Sequence, residues 1–154
     1  MKVLLSCLLF MSLYGHSQTA MPFEEAREKG ISPKVDSIYK SAFDGREGFK
    51  AVFTKQEDID KHVDAYTAYL SGLNQFLYSN NFKWEEITKG FNRIYMSPDG
   101  TVDYFLYSFK TKLTPEKENE FRRLLSLYIK ENKFGNPAPE KFAQCSPVTY
   151  PKSE

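Results

Sequence analysis

The stretch GFNRIYMSPDGTVDYFLYSF, residues Gly90–Phe109, decides the fold. Two runs rich in aromatic and β-branched residues flank Pro98-Asp99-Gly100. Proline pre-sets φ for the first turn position, and glycine accepts positive φ at the closing one. The stretch therefore reads as a β-hairpin with a three-residue loop and a glycine bulge. If Ser97 pairs with Thr101, then Met96 faces Val102, Ile94 faces Tyr104 and Asn92 faces Leu106, which makes one nearly apolar face. The other face carries Tyr95 with Asp103, Arg93 with Phe105, and Phe91 with Tyr107. A slip of one residue would invert this assignment, because side chains alternate with period two.

Upstream of the hairpin the pattern changes to a helical period. Ile59, Val63, Tyr66, Leu70, Leu73 and Leu77 recur at steps of three and four, forming one stripe of an amphipathic helix that Tyr69 and Phe76 widen. Thr54 and Glu57 have capping-box spacing at its start, and Asn80-Asn81 is its expected stop. Gly72 lowers helix propensity, which points to a close packing contact there.

Downstream, Thr114-Pro115 reads as an N-cap followed by proline at the first helical position. Phe121, Leu124, Leu125, Tyr128 and Ile129 form the apolar stripe of this second helix. Phe134–Pro139 is a loop. Phe142–Tyr150 reads as a last extended strand at an edge, since Pro147 cannot donate to a ladder.

The signals before Thr54 are mixed. Phe23–Lys29 suits a short helix ending at Gly30, and Pro33–Phe43 has helix-like spacing. Asp44-Gly45 reads as a turn, and Phe49, Ala51 and Phe53 permit a strand. The economical packing is an α+β fold: a small antiparallel sheet, the central hairpin plus one or two further strands, against two amphipathic helices.

Met1-Lys2 and the apolar run Val3–Tyr14 precede the small and polar residues Gly15-His16-Ser17. This is the pattern of a secretory signal, with an apolar region of about 7–15 residues. It is too short for a membrane span of about 20 residues. Residues 1–17 are thus expected to be a removable signal peptide cut before Gln18, with a cut after Ala20 as the alternative. Leu4-Leu5-Ser6-Cys7 has the look of a lipoprotein box but lies too close to Lys2 to hold a full apolar region. Residues 18–154 then form one exported domain, periplasmic or extracellular, and no later segment reads as membrane-inserting.

Loss of Lys2 brings the 21 basic residues level with the 20 acidic ones. That balance supplies no electrostatic footprint for nucleic acid. Cys145 would be the sole thiol and His62 the sole histidine, which excludes an intramolecular disulfide and a multi-histidine metal site. No phosphate loop, nucleophile elbow or dinucleotide fingerprint is present, and nothing calls for a cofactor.

The run Gly90–Phe109 and the tail KFAQCSPVTY, Lys141–Tyr150, resemble small exported proteins of Bacteroidota over roughly Phe82 to Tyr150. A signal ending in serine before glutamine is common in that group. The resemblance implies no activity and no site residues. A fainter similarity in element order links the hairpin, helix and final strand to the C-terminal domain of TonB-type proteins. Shared element order of that kind implies no function.

The leading candidate site is the second hairpin face, with Arg93, Tyr95, Asp103, Phe105 and Tyr107 beside Phe91. Rings around a guanidinium bind ligands or proteins by stacking, with polar tips setting orientation. The competing reading is that the N-terminal segment or the tail covers this face. Two further candidates are a Cys145–His62 pair and the carboxylates Glu85-Glu86. His62 lies among Asp58, Asp60, Lys61 and Asp64 on a face that reads as solvated, and adjacent carboxylates on an extended segment point to opposite sides. The function expected is an exported, non-catalytic module binding an unknown protein or small ligand. The alternative is a small exported hydrolase.

Overall fold

The computed structural model describes residues 18–43 and 51–153. In chain order the elements are β1 (Thr19–Pro22), α1 (Phe23–Glu28), α2 (Ile31–Asp36), β2 (Lys40–Ser41) and α3 (Gln56–Ser79). They continue with β3 (Thr88–Met96), β4 (Val102–Phe109), α4 (Pro115–Glu131) and β5 (Phe142–Tyr150). The strands form one sheet ordered β1-β4-β3-β5-β2. Its three central strands are antiparallel, as the hairpin implies. The sheet as a whole is mixed, however: β1 runs parallel to β4 and β2 parallel to β5. Parallel neighbours need long connections, and here the chain between each pair contains helices, a pairing that hairpin chemistry cannot announce.

The turn forms as its residues dictate. Ser97 N–H donates to the Thr101 carbonyl at 2.9 Å, and Gly100, at φ 82°, donates to the Ser97 carbonyl at 2.9 Å. Met96 faces Val102 as expected, but the register shifts at the next residue. Asp103 is the extra residue of a bulge on β4, so Tyr95 faces Tyr104, Ile94 faces Phe105 and Asn92 faces Tyr107. The expected pairs Ile94/Tyr104 and Asn92/Leu106 therefore do not form.

This shift makes both faces of the hairpin apolar, and both are covered. Ile94, Met96, Val102, Phe105 and Tyr107 pack beneath α3 and α4 against Leu73, Phe121, Leu125 and their neighbours. On the opposite face Tyr95, Leu106 and Ala143 pack against Met21, Ala26, Val35 and Tyr39 of the N-terminal segment. The helices are thus divided between two layers, whereas the sequence led us to expect cover on one face only.

Helix α4 follows its sequence signals. Thr114 Oγ1 accepts from Lys117 N–H at 3.2 Å, and the five expected apolar residues are buried. Helix α3 departs from them. It begins after Lys55 with no side-chain cap, and Glu57 pairs with Lys61 at 2.6 Å instead of closing a box with Thr54. Its buried stripe is His62, Tyr66, Tyr69, Leu73 and Leu77, while Val63 is 44% exposed. Gly72 does mark a close contact, since a Cβ there would lie 2.6 Å from the Tyr128 hydroxyl oxygen.

In the N-terminal region Gly30 has φ 65° between two short helices, and α2 ends at Asp36, short of the helix expected to Phe43. Ala51 makes a single bridge to Ser41. The expected signal peptide, the Asp44-Gly45 turn and Phe49 lie outside the described residues.

Both sheet edges are blunted. Ala42 N–H bonds the Ala143 carbonyl, so alternate residues of β5 aim their backbone groups outward. Beyond β2 that outward series includes Pro147, which has no N–H, and Cys145, whose carbonyl is taken by Gln144 Nε2 at 2.9 Å. On the other edge Arg122 Nε donates to the Ala20 carbonyl at 3.1 Å. Such devices discourage pairing with another chain. Among the described residues, no helix is long and apolar enough to cross a membrane.

Candidate functional site

The bulge divides the residues that the sequence groups together. Phe105 and Tyr107 turn toward α3 and α4, whereas Arg93, Tyr95 and Asp103 lie on the α1–α2 side. Tyr95, Phe105 and Tyr107 are all fully buried. The expected continuous surface of exposed rings is therefore absent, and the N-terminal segment covers the Tyr95 side. Arg93 pairs with Asp36 at 2.9 Å, and the Tyr95 hydroxyl donates to the same carboxylate at 2.6 Å. Phe91 is 37% exposed beside Phe23.

Asp103 has a different environment. A bulge places two consecutive side chains on one side of a strand and re-aims them; here Asp103 and Tyr104 both reach the layer formed by α1 and α2. Together with Lys29, Gly30, Ile31, Lys34, Val35, Ile38, Tyr39 and Lys141 they line a cleft of about 330 Å³. Asp103 is only 4% exposed. Its Oδ2 accepts from the Tyr39 hydroxyl and the Ser97 hydroxyl, each at 2.6 Å, and Lys141 Nζ lies 3.6 Å away.

Asp103 Oδ1 is buried and accepts no hydrogen bond. A carboxylate has about four lone-pair sites, and leaving a buried acceptor unpaired costs roughly 1–3 kcal/mol. One oxygen of the carboxylate is therefore held by two hydroxyls, and the other is enclosed by protein with no hydrogen-bond partner among the described residues.

The surrounding groups hold this polarity in place. Lys141 Nζ lies 5.1 Å from the centre of the Tyr39 ring and 3.4 Å from its hydroxyl oxygen. Burial, followed by the bond to the Asp103 carboxylate, pushes the Tyr39 phenol far above its usual range. Tyr39 thus remains a proton donor to Oδ2. Ile31, Val35 and Ile38 supply an apolar wall, of which Ile38 is 52% exposed. Lys29 is held by Glu25 at 2.6 Å, and Lys34 has no carboxylate within ion-pair distance among the described residues.

Sequence reading singled out Asp103 but missed Tyr39, Ser97 and Lys141. No local signal marks them, because they meet only where the bulge, the turn after α2 and the start of β5 converge.

The other candidates do not assemble. Cys145 and Gln144 point to opposite faces of β5. His62 bonds Gln144 Oε1 at 3.1 Å within a cage that includes Phe53, Tyr66 and Phe142, while Cys145 is exposed near Arg93 on the other side. Desolvation against the sheet raises the Cys145 thiol above its ordinary value, only partly offset by Arg93. His62 is wholly buried, contrary to the solvated face expected. Glu85 and Glu86 are exposed. Among the described residues, no group of three His, Cys, Asp or Glu side chains could hold a metal ion. Compared with known family models, curated proteins and solved structures, the chain matches none of them.

Proposed function

We propose that this chain is an exported, non-catalytic binding module whose small ligand seats in the Asp103 cleft. The cleft itself carries the reading: a buried carboxylate held by Tyr39, Ser97 and Lys141 meets an apolar wall of Ile31, Val35 and Ile38 in one concave site, the combination small ligands use. The cleft volume is at the low end of the roughly 300–1,000 Å³ usual for small-molecule sites. Export rests on the basic and apolar start of the sequence. The hydrolase alternative has less support, because His62 lies on the opposite side of the sheet from the cleft.

The test is an amide-resonance titration with small polyols, amines and hydroxy acids, in the wild type and in Asp103→Asn. In the variant the amide oxygen can keep the Tyr39 and Ser97 hydrogen bonds, while the negative charge at the base of the cleft is lost. A compound that seats in the cleft should perturb Ile31–Tyr39, Tyr104 and Lys141 in the wild type and bind more weakly to the folded variant. Equal binding by Asp103→Asn would refute the reading.

A further inference from the structure

His62 lies behind the cleft, on the opposite face of the sheet. Its ring is wholly buried, stacked on Phe53 with centres 4.8 Å apart and met edge to face by Phe43 at 5.8 Å and Phe142 at 5.6 Å. Phe134 and Tyr66 close the cage. The Gln144 amide fixes the tautomer of the imidazole. Its Nε2 donates to the Cys145 carbonyl, so its Oε1 accepts from His62 Nε2 at 3.1 Å. Nδ1 is therefore the bare, basic nitrogen, and it is buried with no hydrogen-bond partner.

Two of these rings belong to the joint between β2 and β5: Phe43 follows β2, and Phe142 is paired with it. The joint is short. Lys40 N–H donates to the Lys141 carbonyl at 3.1 Å and Ala42 N–H to the Ala143 carbonyl at 2.9 Å. Tyr39 precedes it and Lys141 flanks it, so it carries two residues of the cleft. Strand β5, by contrast, pairs with β3 along its whole length. We infer that His62 is an acid-sensitive latch: proton uptake at Nδ1 opens the β2–β5 joint, and with it the Tyr39 side of the cleft, while α4 and the central strands stay folded.

An imidazolium in this cage has no counter-charge among the described residues. On α3, Asp58 lies one turn earlier without bonding the ring, and Lys61 pairs with Glu57. The Tyr66 phenol, pushed up to about 12 by burial, stays neutral. Lys55 beyond Phe53 is exposed, Lys40 pairs with Glu140, and Lys133 pairs with Asp99. Lys141 turns to the other face, toward Asp103. An enclosed charge without a partner is costly, so an opened state binds the proton better than the closed one. A joint of so few bonds opens at lower cost than the whole fold. The cleft's part in this rests on the binding role proposed above; the latch itself does not.

Amide hydrogen exchange of the full folded chain at pH 7 and pH 5, with no ligand present, tests the latch. After correction for intrinsic rates, protection of Lys40 and Ala42 should fall about tenfold at the lower pH. That exchange should be insensitive to low denaturant, as local opening is, while Leu124 and Leu125 of α4 stay better protected and respond to denaturant. His62→Phe, which keeps a neutral ring in the cage, should abolish the pH-dependent loss at Lys40 and Ala42. In the wild type, the His62 ring resonances should titrate below 6.5, a readout that needs no variant. Exchange of Lys40 and Ala42 only together with α4, at the same denaturant dependence, would assign the proton to global unfolding and overturn the latch. An equal loss of protection in His62→Phe, or a ring midpoint at or above 6.5, would overturn it as well. The Asp103→Asn titration decides the binding role separately.

Discussion

The Tyr39 hydroxyl donates to Asp103 Oδ2 at 2.6 Å across 64 residues of sequence. It ties the segment after α2 to the bulge of β4 and, with the Ser97 hydroxyl, it holds Oδ2 of the carboxylate. Tyr39 also packs edge-on against Tyr95, with ring centres 5.2 Å apart. Tyr39→Phe keeps that packing and removes only the donor. Bonds to charged groups contribute about 1.5–3 kcal/mol, so the variant should lose stability of that order in denaturant melts. A double-mutant cycle with Asp103→Ala, which removes the acceptor, should show coupling between the two sites. An unchanged midpoint would mean that the bond does not form in solution.

The bulge itself can be checked by substitution on the two hairpin faces. Tyr95 and Tyr107 are buried under different layers, so Tyr95→Ser and Tyr107→Ser should each cost about 3 kcal/mol or more. Arg93→Ala removes a half-exposed ion pair and should cost about 1 kcal/mol or less. Near-wild-type melting of Tyr107→Ser would restore the register without a bulge, with Tyr107 on the open face.

Burial lowers the pKa of His62 below its ordinary 6.5, with the Gln144 contact only partly opposing it. The folded state therefore favours the neutral ring, and the unfolded chain binds the proton more readily. Stability from this source is complete above about pH 6.5 and falls as pH drops from there through the lowered folded value. The carboxylates held low by basic partners, Glu25, Glu57 and Glu120, contribute to such a fall only below their ordinary 4.5. Denaturant midpoints should decline between pH 6.5 and 5, and His62→Leu should flatten that interval. A midpoint in the wild type that does not change over this interval would contradict the buried neutral ring.

Gly100 combines φ 82° with close backbone: an added Cβ would lie 2.2 Å from the Phe134 carbonyl oxygen. Phe134 N–H in turn donates to the Gly100 carbonyl at 2.7 Å, so neither chain can withdraw freely. Gly100→Ala should cost about 2 kcal/mol or more, combining left-handed strain of about 1–2 kcal/mol with the clash. Gly135, beside open space, is the control, and Gly135→Ala should be close to neutral. Equal melting of the two variants would show that the loop after α4 does not clasp the turn.

Local chemistry alone determined a good part of this fold. The turn at Pro98-Asp99-Gly100, the start of α4 at Thr114-Pro115 and the outward position of Pro147 on β5 are each set by what a few neighbouring residues can do with their own backbone. Tertiary structure decided the rest. The inserted residue at Asp103 exchanges the faces of Phe105 and Tyr107, and period-two alternation makes either register equally plausible from sequence. Asp103 is secured in its position by Tyr39 from a distant segment and Ser97 from the turn. The same holds for His62, which reads as a surface residue among its charged sequence neighbours but stacks on Phe53 at 4.8 Å. Parallel pairing of β1 and β2, the second helical layer and the Asp103 cleft all depend on contacts between remote segments, whose closure entropy and packing no local pattern records.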